Sequence, residues 1–259
     1  MSKGLEATLR AARDSGRKLL VPYVTGGLAP DWTQVVAAMA AAGADAIEIG
    51  IPFSDPVMDG PTIQEASARS LERGTTPEGI FGELAHLDTT VPLVAMTYYN
   101  LIFRAGHTRF AHNLASSGVA GVIVPDLPLE ESVEWEAAAA AAGVAAVLLA
   151  APVTPDDRLV RIVERSRGFV YAVGLMGVTG ERAHVAASAG VLAKRIKAIS
   201  DRPVLIGFGI STPNHAREAA ADADGVVVAS ALMRRYMDGA TPDEIGDDVA
   251  AMRQALDDM

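Results

Sequence analysis

The sequence of 259 residues predicts one domain over 1–259 with the (β/α)₈ or TIM-barrel fold. Short runs rich in Val, Ile and Leu alternate with Ala-rich helical segments along the whole chain, which is typical of parallel strands covered by helices. Eight such runs are present, and a length of about 250 residues is usual for this barrel. The alternative is an open, doubly wound sheet, which is disfavoured because no Gly-x-Gly-x-x-Gly motif follows the first strand.

The predicted elements follow in strict alternation. Strands are predicted at 19–24, 46–49, 93–97, 119–124, 144–149, 169–173, 204–206 and 226–229. Helices are predicted at 32–42, 62–73, 107–117, 130–142, 156–165, 191–200, 214–221 and 242–256. An extra helix at 4–15 precedes the first strand, and a short extra helix at 231–237 follows the last one. Glycines at 43, 74, 118 and 143 stand where helices commonly end, which supports these boundaries.

Composition excludes several classes of function. The absence of cysteine rules out disulfides, cysteine–zinc sites, iron–sulfur clusters and a thiol nucleophile. No basic patch accompanies the net charge of −10, so we expect no nucleic-acid partner. No apolar run reaches the length of a membrane-spanning helix, and the first residues lack the pattern of a signal peptide. We therefore expect a cytoplasmic protein. Because the chain as a whole is acidic, any anionic group of a substrate must be held by local donors such as backbone N–H groups.

The segment after the second strand carries the densest chemistry. Glu48 lies inside that strand, and the two-residue period places it on the face opposite Ile47 and Ile49. It should therefore point into the barrel near its mouth, where loss of solvent raises the pKa of a carboxyl toward that of a useful general acid or base. The alternative is a structural glutamate paired with a buried arginine, but the strand ends offer no such partner. Asp55 and Asp59 follow in a proline-rich loop, where turn formation alone could account for either residue.

Two common kinds of catalysis in such barrels are disfavoured. A Schiff-base enzyme needs a lysine inside the barrel, whereas the four lysines lie at or before the first strand or on a helix. A metal-dependent enzyme needs histidines clustered with carboxylates, and the five histidines do not form such a cluster. Metal-free and cofactor-free acid/base chemistry by carboxylates remains.

A phosphate site is predicted after the last two strands. Strand seven ends in Gly207-Phe-Gly-Ile-Ser, and Ser230 follows strand eight. Glycines allow close approach to the backbone, and we expect Ser230 to cap the short helix at 231–237, whose free N–H groups attract an anion. This position is a recurrent phosphate site in such barrels. Gly177 and Gly180, after strand six, are typical of a loop that closes over a ligand.

These motifs resemble one known family. Glu48-Ile-Gly-Ile-Pro-Phe-Ser-Asp-Pro, Asp59-Gly-Pro-Thr-Ile-Gln, Tyr171 with the later Gly177-Val-Thr-Gly, and Gly207-Phe-Gly-Ile-Ser resemble the tryptophan synthase α subunit. Pro22-Tyr-Val-Thr and Tyr98-Tyr-Asn-Leu-Ile-Phe extend the resemblance over nearly the whole chain, in the expected order. Ala229 departs from the pattern, since members of the family often have Gly there.

The resemblance implies a lyase of tryptophan biosynthesis. It would cleave indole-3-glycerol phosphate to indole and glyceraldehyde 3-phosphate, without a metal or cofactor, in an α₂β₂ complex with a β subunit. Glu48 would shuttle protons, and Asp59 would hydrogen-bond the indole N–H. The remaining implied positions are Tyr23, Met96, Ile123, Pro125 and Phe208 around the indole, Tyr171 beside the glycerol chain, Thr179 ordering Asp59 on loop closure, Gly180, Gly209 and Ser230 at the phosphate, and Asp55 and Pro56 facing the β subunit.

Three rival functions stay open at this stage. A stand-alone lyase would run the same reaction with no obligate partner. A regulatory barrel would bind the ligand and turn over poorly, which the intact Glu48 and Asp59 disfavour. A phosphosugar isomerase would need neither the Asp59 loop nor an aromatic pocket.

Overall fold

The computed structural model describes residues 4–174, 182–207 and 209–259, with the side chains of 182–187 left out. Its centre is a closed barrel of eight parallel strands in the order β1-β2-β3-β4-β5-β6-β7-β8, with β8 pairing back to β1. The strands are β1 (Leu19–Thr25), β2 (Ile47–Gly50), β3 (Leu93–Met96), β4 (Val119–Ile123), β5 (Ala145–Ala150), β6 (Val170–Ala172), β7 (Val204–Ile206) and β8 (Gly225–Val228). Every boundary lies within one residue of its prediction, so the predicted fold is confirmed.

Helices surround this barrel. They are α1 (Leu5–Asp14), α2 (Trp32–Ala41), α3 (Pro61–Glu72), α4 (Pro77–Leu84), α5 (Tyr99–Ala105), α6 (His107–Ser116), α7 (Val133–Ala141), α8 (Asp156–Arg165), α9 (Arg182–Ile199), α10 (Pro213–Ala220), α11 (Ser230–Met237) and α12 (Pro242–Asp257). None of the described helices is both long and apolar enough to cross a membrane.

Two of these helices were missed by the sequence prediction. Helix α4 contains Gly79 and Gly82, which lower its helix propensity, and it is held by the burial of Ile80, Phe81 and Leu84. Helix α5 has only seven residues, too few to show a period. Its first N–H, on Tyr99, is capped by the Asp126 carboxylate from the loop after β4, 2.9 Å away. Tertiary contacts of this kind leave no local signal in the sequence.

Two predicted helix starts were also wrong. Helix α9 begins at residue 182, well before the predicted residue 191. Helix α7 begins at residue 133, because the predicted first turn forms separate turns around 130–131.

Apolar side chains fill the barrel and close its lower end. Leu19, Val94, Val147 and Leu205 are among the buried residues of the interior cluster. Leu5 and Leu9 of α1 belong to the same cluster, so α1 covers the amino-terminal end of the barrel. Ile47 and Ile49 belong instead to the cluster between strands and helices, as the two-residue period predicts. The carboxyl-terminal end of the barrel is not covered by α1.

Candidate active site

Glu48 lies in the wall of the barrel near its carboxyl-terminal mouth. It stands opposite Tyr23 on β1 and Val94 on β3, and it is 1% exposed. Its Oε2 has no hydrogen-bond partner among the described residues, and no arginine or lysine of that set forms an ion pair with it. The structural alternative of a Glu–Arg pair is therefore wrong for the described part of the chain.

Burial sets the acidity of Glu48. It raises the pKa of this carboxyl from 4.5 to about 8, with a smaller contribution from the neighbouring charge of Asp59. A proton on the carboxyl removes the cost of a buried, uncompensated charge. Glu48 is thus mainly protonated at neutral pH and available as an acid.

Asp59 approaches Glu48 from the loop after β2. Its N–H donates to the carbonyl of Pro56 at 3.0 Å, which closes a turn at the end of this loop. Burial raises the pKa of its carboxyl to about 6, while a hydrogen bond from Tyr98 lowers it. Asp59 is therefore mainly ionised at neutral pH, in contrast to Glu48. The structure brings together the two carboxylates that the sequence singled out.

Tyr98 is a site residue that the sequence analysis did not single out. Its hydroxyl hydrogen-bonds the Asp59 carboxylate and accepts the N–H of Met58 at 3.0 Å. Its ring stacks on Phe53, with ring centroids 5.1 Å apart. One side chain thus contacts the Asp59 loop at three points. Two signals in the sequence pointed to it: its place directly after the third strand, where barrel enzymes carry functional groups, and its place at the start of the Tyr98-Tyr-Asn-Leu-Ile-Phe motif.

Two further tyrosines face the carboxylates from the barrel wall. The Tyr23 ring packs on Gly50 and the Tyr171 ring packs on Gly207, and a Cβ at either glycine would overlap the phenol. Tyr23 shares a hydrogen bond of 3.1 Å with Thr25, and Tyr171 donates to the carbonyl of Gly207 at 3.4 Å. Burial, followed by the nearby carboxylates, raises the pKa of both phenols, so both stay neutral.

The apolar part of the predicted pocket is only partly described. Ile123 is buried in the interior cluster, and Met96 packs against it. Pro125 lies half-buried in the turn after β4. Phe208, Thr179 and Gly180 lie outside the described residues.

The predicted phosphate positions lie at the same end of the barrel. Gly209 follows β7 with φ of +71°, a conformation that favours glycine, and Ser230 follows the adjacent β8. The expectation that Ser230 caps the helix was wrong by one residue: α11 begins at Ser230, and Ala229 is the N-cap. The first bond of the helix runs from the N–H of Met233 to the carbonyl of Ala229. Ser230 therefore offers its own N–H as one of the free helix-end donors.

Exposed residues border the Asp59 loop. Asp55 is exposed, with its carboxylate 2.5 Å from the Ser54 hydroxyl, and Pro56 is half-buried. Val57 is 78% exposed, and Phe103 on α5 is 68% exposed.

The described lysines lie at the opposite end of the barrel. Lys18 donates to the carbonyls of Ala220 and Ala223, and Lys197 pairs with Asp224, which directly precedes β8. Lys194 pairs with Asp222 in the same region. None of these three amines reaches the mouth where Glu48 lies, as the sequence predicts.

Comparison with known proteins identifies the family. The family model described as the tryptophan synthase alpha chain matches residues 9–257. The tryptophan synthase alpha chain of Gloeobacter violaceus is 42% identical over 252 residues, covering 95% of this chain and 91% of the relative. The chain belongs to the tryptophan synthase alpha chain family. The tryptophan synthase alpha chain of Halorhodospira halophila is 43% identical over 258 residues, covering 96% of this chain and 94% of the relative.

Solved structures agree with this membership. The tryptophan synthase of Mycobacterium tuberculosis superposes with a TM-score of 0.89 at 34% identity, covering 99% of both chains. The expected activity is thereby confirmed: the chain is a lyase that cleaves indole-3-glycerol phosphate to indole and glyceraldehyde 3-phosphate.

Proposed function

We propose that Glu48 and Asp59 divide the chemistry of this cleavage between them. The observation that carries the proposal is that two carboxylates at one mouth, without a neighbouring cation among the described residues, have pKa values of about 8 and about 6. Titratable groups whose environments separate their pKa values are suited to opposite roles in acid/base catalysis. At neutral pH the first is an acid and the second an anion.

Glu48 acts first as the acid and then as the base. Its proton goes to C3 of the indole ring, which makes the ring a cation. The resulting carboxylate then takes the proton of the hydroxyl on the adjacent side-chain carbon. The electrons of that O–H bond form the aldehyde, and the C–C bond breaks toward the ring, which restores neutral indole. Proton transfer by a positioned group contributes about 10²- to 10⁴-fold to the rate.

Asp59 remains ionised while the ring carries positive charge. Its carboxylate accepts the indole N–H and stabilises the cation by a charge-assisted hydrogen bond. The indole plane lies among Tyr23, Met96, Ile123, Pro125 and Phe208, because an apolar ring requires an apolar pocket. Tyr171, held neutral beside the carboxylates, faces the glycerol chain as a hydroxyl donor.

The phosphate binds to Gly209, Ser230 and Gly180. The free N–H groups at the start of α11 supply donors for an anion, which the acidic chain as a whole does not attract. Thr179 orders Asp59 when the loop that carries it closes over the substrate.

A tryptophan synthase β subunit covers this mouth in an α₂β₂ complex. Asp55 and Pro56 contact it, and the neighbouring Val57 and Phe103 supply apolar area that an interface would bury. A partner over this face favours loop closure without adding a catalytic group. Because the family serves amino-acid biosynthesis, the complex acts in the cytoplasm.

Titration of a β subunit into a fixed amount of the chain tests this function. With indole-3-glycerol phosphate as substrate, we expect slow indole release by the chain alone and an increase of at least about 10-fold at saturation, because closure is shifted by differential binding. Thr179→Val, which removes the hydroxyl and keeps the shape, should blunt the increase. Full activity that stays constant across the titration would instead establish a stand-alone lyase.

A further inference from the structure

Helix α3 connects the two halves of the proposed site. It begins two residues after Asp59 and runs beside α11, whose first residue is Ser230. Two neighbouring residues near its start, Gln64 and Glu65, contact the Asp59 loop and α11, respectively. These contacts belong neither to the acid/base pair nor to the donors of the phosphate site.

Gln64 holds the backbone of the catalytic loop. Its side-chain amide donates to the carbonyl of Asp59 at 2.9 Å and approaches the carbonyl of Pro56 at 3.5 Å. The N–H of Gln64 itself donates to Gly60, in the first turn of α3. The carbonyl of Asp59 is thereby fixed to the start of a helix.

Glu65 contacts α11, the helix whose first residue is proposed to bind the phosphate. One carboxylate oxygen accepts from Arg234 of α11 at 2.8 Å, and the other accepts from Arg69 at 2.7 Å. Arg69 also donates to the carbonyl of Met237, the last residue of α11, at 3.1 Å. Arg234 lies one turn from Ser230, so α3 contacts α11 both near its first turn and at its end.

We propose that Gln64 and Glu65 are positioning residues through which phosphate binding at α11 and indole binding at Asp59 favour each other. A phosphate that fixes α11 also fixes Glu65, and α3 carries this restraint to the carbonyl of Asp59. The two moieties of the substrate then bind cooperatively, and loss of either contact uncouples them. This inference rests on the proposed roles of Ser230 and Asp59.

Separate ligands for the two subsites test the coupling. The dissociation constant of indole is measured by calorimetry with and without saturating inorganic phosphate, in the isolated chain. We expect phosphate to tighten indole binding by about 5-fold in the unmodified protein, at the lower end of typical coupling. In Glu65→Gln and in Gln64→Leu the tightening of indole binding by phosphate should fall below about 2-fold, because each variant removes one of the two linking contacts. The change is modest because exposed ion pairs contribute little energy.

Asp248→Asn provides the matched control. Asp248 pairs with Arg235, the next residue of α11, at 2.8 Å, but this contact leads to α12 and away from Asp59. The variant should keep the coupling factor of the unmodified protein. An equal factor in the unmodified protein, Glu65→Gln and Gln64→Leu would overturn the inference, as would an equal loss in Asp248→Asn.

Ser230→Asp distinguishes this failure from failure of the proposed phosphate site. An added negative charge at the start of α11 should abolish binding of inorganic phosphate. If it does so while Glu65→Gln leaves the coupling factor unchanged, only the role of α3 is wrong. If Ser230→Asp leaves phosphate affinity unchanged, the phosphate site lies elsewhere and the coupling through α3 loses its basis.

Discussion

The two ends of the barrel bury carboxylates in opposite ways. At the amino-terminal end, Asp45 accepts from Arg17 at 2.7 Å, from Arg253 at 3.1 Å and from the N–H of Leu20 at 2.8 Å. At the other end, Glu48 is buried more deeply, at 1% exposed against 8% for the Asp45 side chain, but has no cation beside it among the described residues, and its Oε2 has no hydrogen bond there. The same chemical group is neutralised by partners at one end and by a proton at the other.

This difference separates stability from catalysis. A carboxylate that is fully paired cannot exchange protons with a substrate without breaking its pairs. A carboxyl that lacks partners, such as Glu48 with its pKa of about 8, keeps its proton at neutral pH. It can then release that proton to a substrate ring bound beside it. Asp224, which accepts from Lys197 at 2.6 Å and from the N–H of Val204 at 2.9 Å, repeats the paired arrangement. Variants at the two ends should therefore fail in different assays.

Glu48→Gln should have the largest effect on turnover. The amide keeps the shape of the side chain but cannot shuttle a proton, so kcat should fall by about 10²- to 10⁴-fold. Substrate affinity should change little. Steady-state kinetics with indole-3-glycerol phosphate measure both, and turnover like that of the unmodified protein would remove Glu48 from the acid/base role.

The same variant should be more stable at alkaline pH. Because the folded-state pKa of Glu48 is raised from 4.5 to about 8, the folded state binds more protons than the unfolded state between these values. Stability is therefore lost as pH rises through this window, and the full penalty, a few kcal/mol on the order of 1.4 per pKa unit, is reached above pH 8. Glu48→Gln removes the penalty, so its advantage in urea unfolding should be absent near pH 4 and grow toward pH 8.

Asp45→Ala should show the reverse pattern. Removing this carboxylate takes from the buried guanidinium of Arg253, only 7% exposed, one of its two carboxylate partners and leaves Asp257 at 2.7 Å. A lost hydrogen bond to a charged group costs about 1.5 to 3 kcal/mol. The midpoint of urea unfolding should fall accordingly. At a temperature where the variant is folded, kcat should stay within about 2-fold of the unmodified protein, because Asp45 precedes β2 at the end away from the chemistry. A loss of kcat as large as that of Glu48→Gln would contradict the separation of the two ends.

The sequence alone predicted the element that orients Glu48 but not the contacts that tune Asp59. Alternation along β2 assigns Glu48 to the interior because each strand residue points to one face or the other, and this depends only on local order. The contact between Tyr98 and Asp59 joins the ends of two different strands through a loop of irregular path. Likewise Asp126, whose carboxylate caps α5, lies 27 residues along the chain from Tyr99, which donates the N–H. Such contacts form only when the barrel closes, and no regular spacing of residues along the sequence indicates them.

The pH dependence of kcat/KM should show both members of the carboxylate pair. The active form has Glu48 protonated and Asp59 ionised, so the profile should be bell-shaped, with apparent pKa values for the pair near 6 and near 8. The substrate phosphate also titrates near pH 6. Asp59→Asn separates the two sources, because in the residual activity of this variant the acidic limb should disappear. An acidic limb that persists would assign it to the phosphate.

Tyr98→Phe should give the smallest of these effects and the most specific one. The phenol hydrogen bond lowers the pKa of Asp59 against the larger effect of burial, so its removal should move the acidic limb of the profile to higher pH. The ring and its stacking on Phe53 remain, and we expect a pKa shift of less than about one unit and a fall in kcat of about 3- to 10-fold, the size of one ordinary hydrogen bond. Tyr99→Phe is the matched control, because the hydroxyl of this adjacent tyrosine contacts His107 Nε2 at 3.0 Å and leaves Asp59 untouched. If both variants move the limb equally, or neither moves it, Tyr98 supports the loop only by packing, and the acidity of Asp59 depends on burial alone.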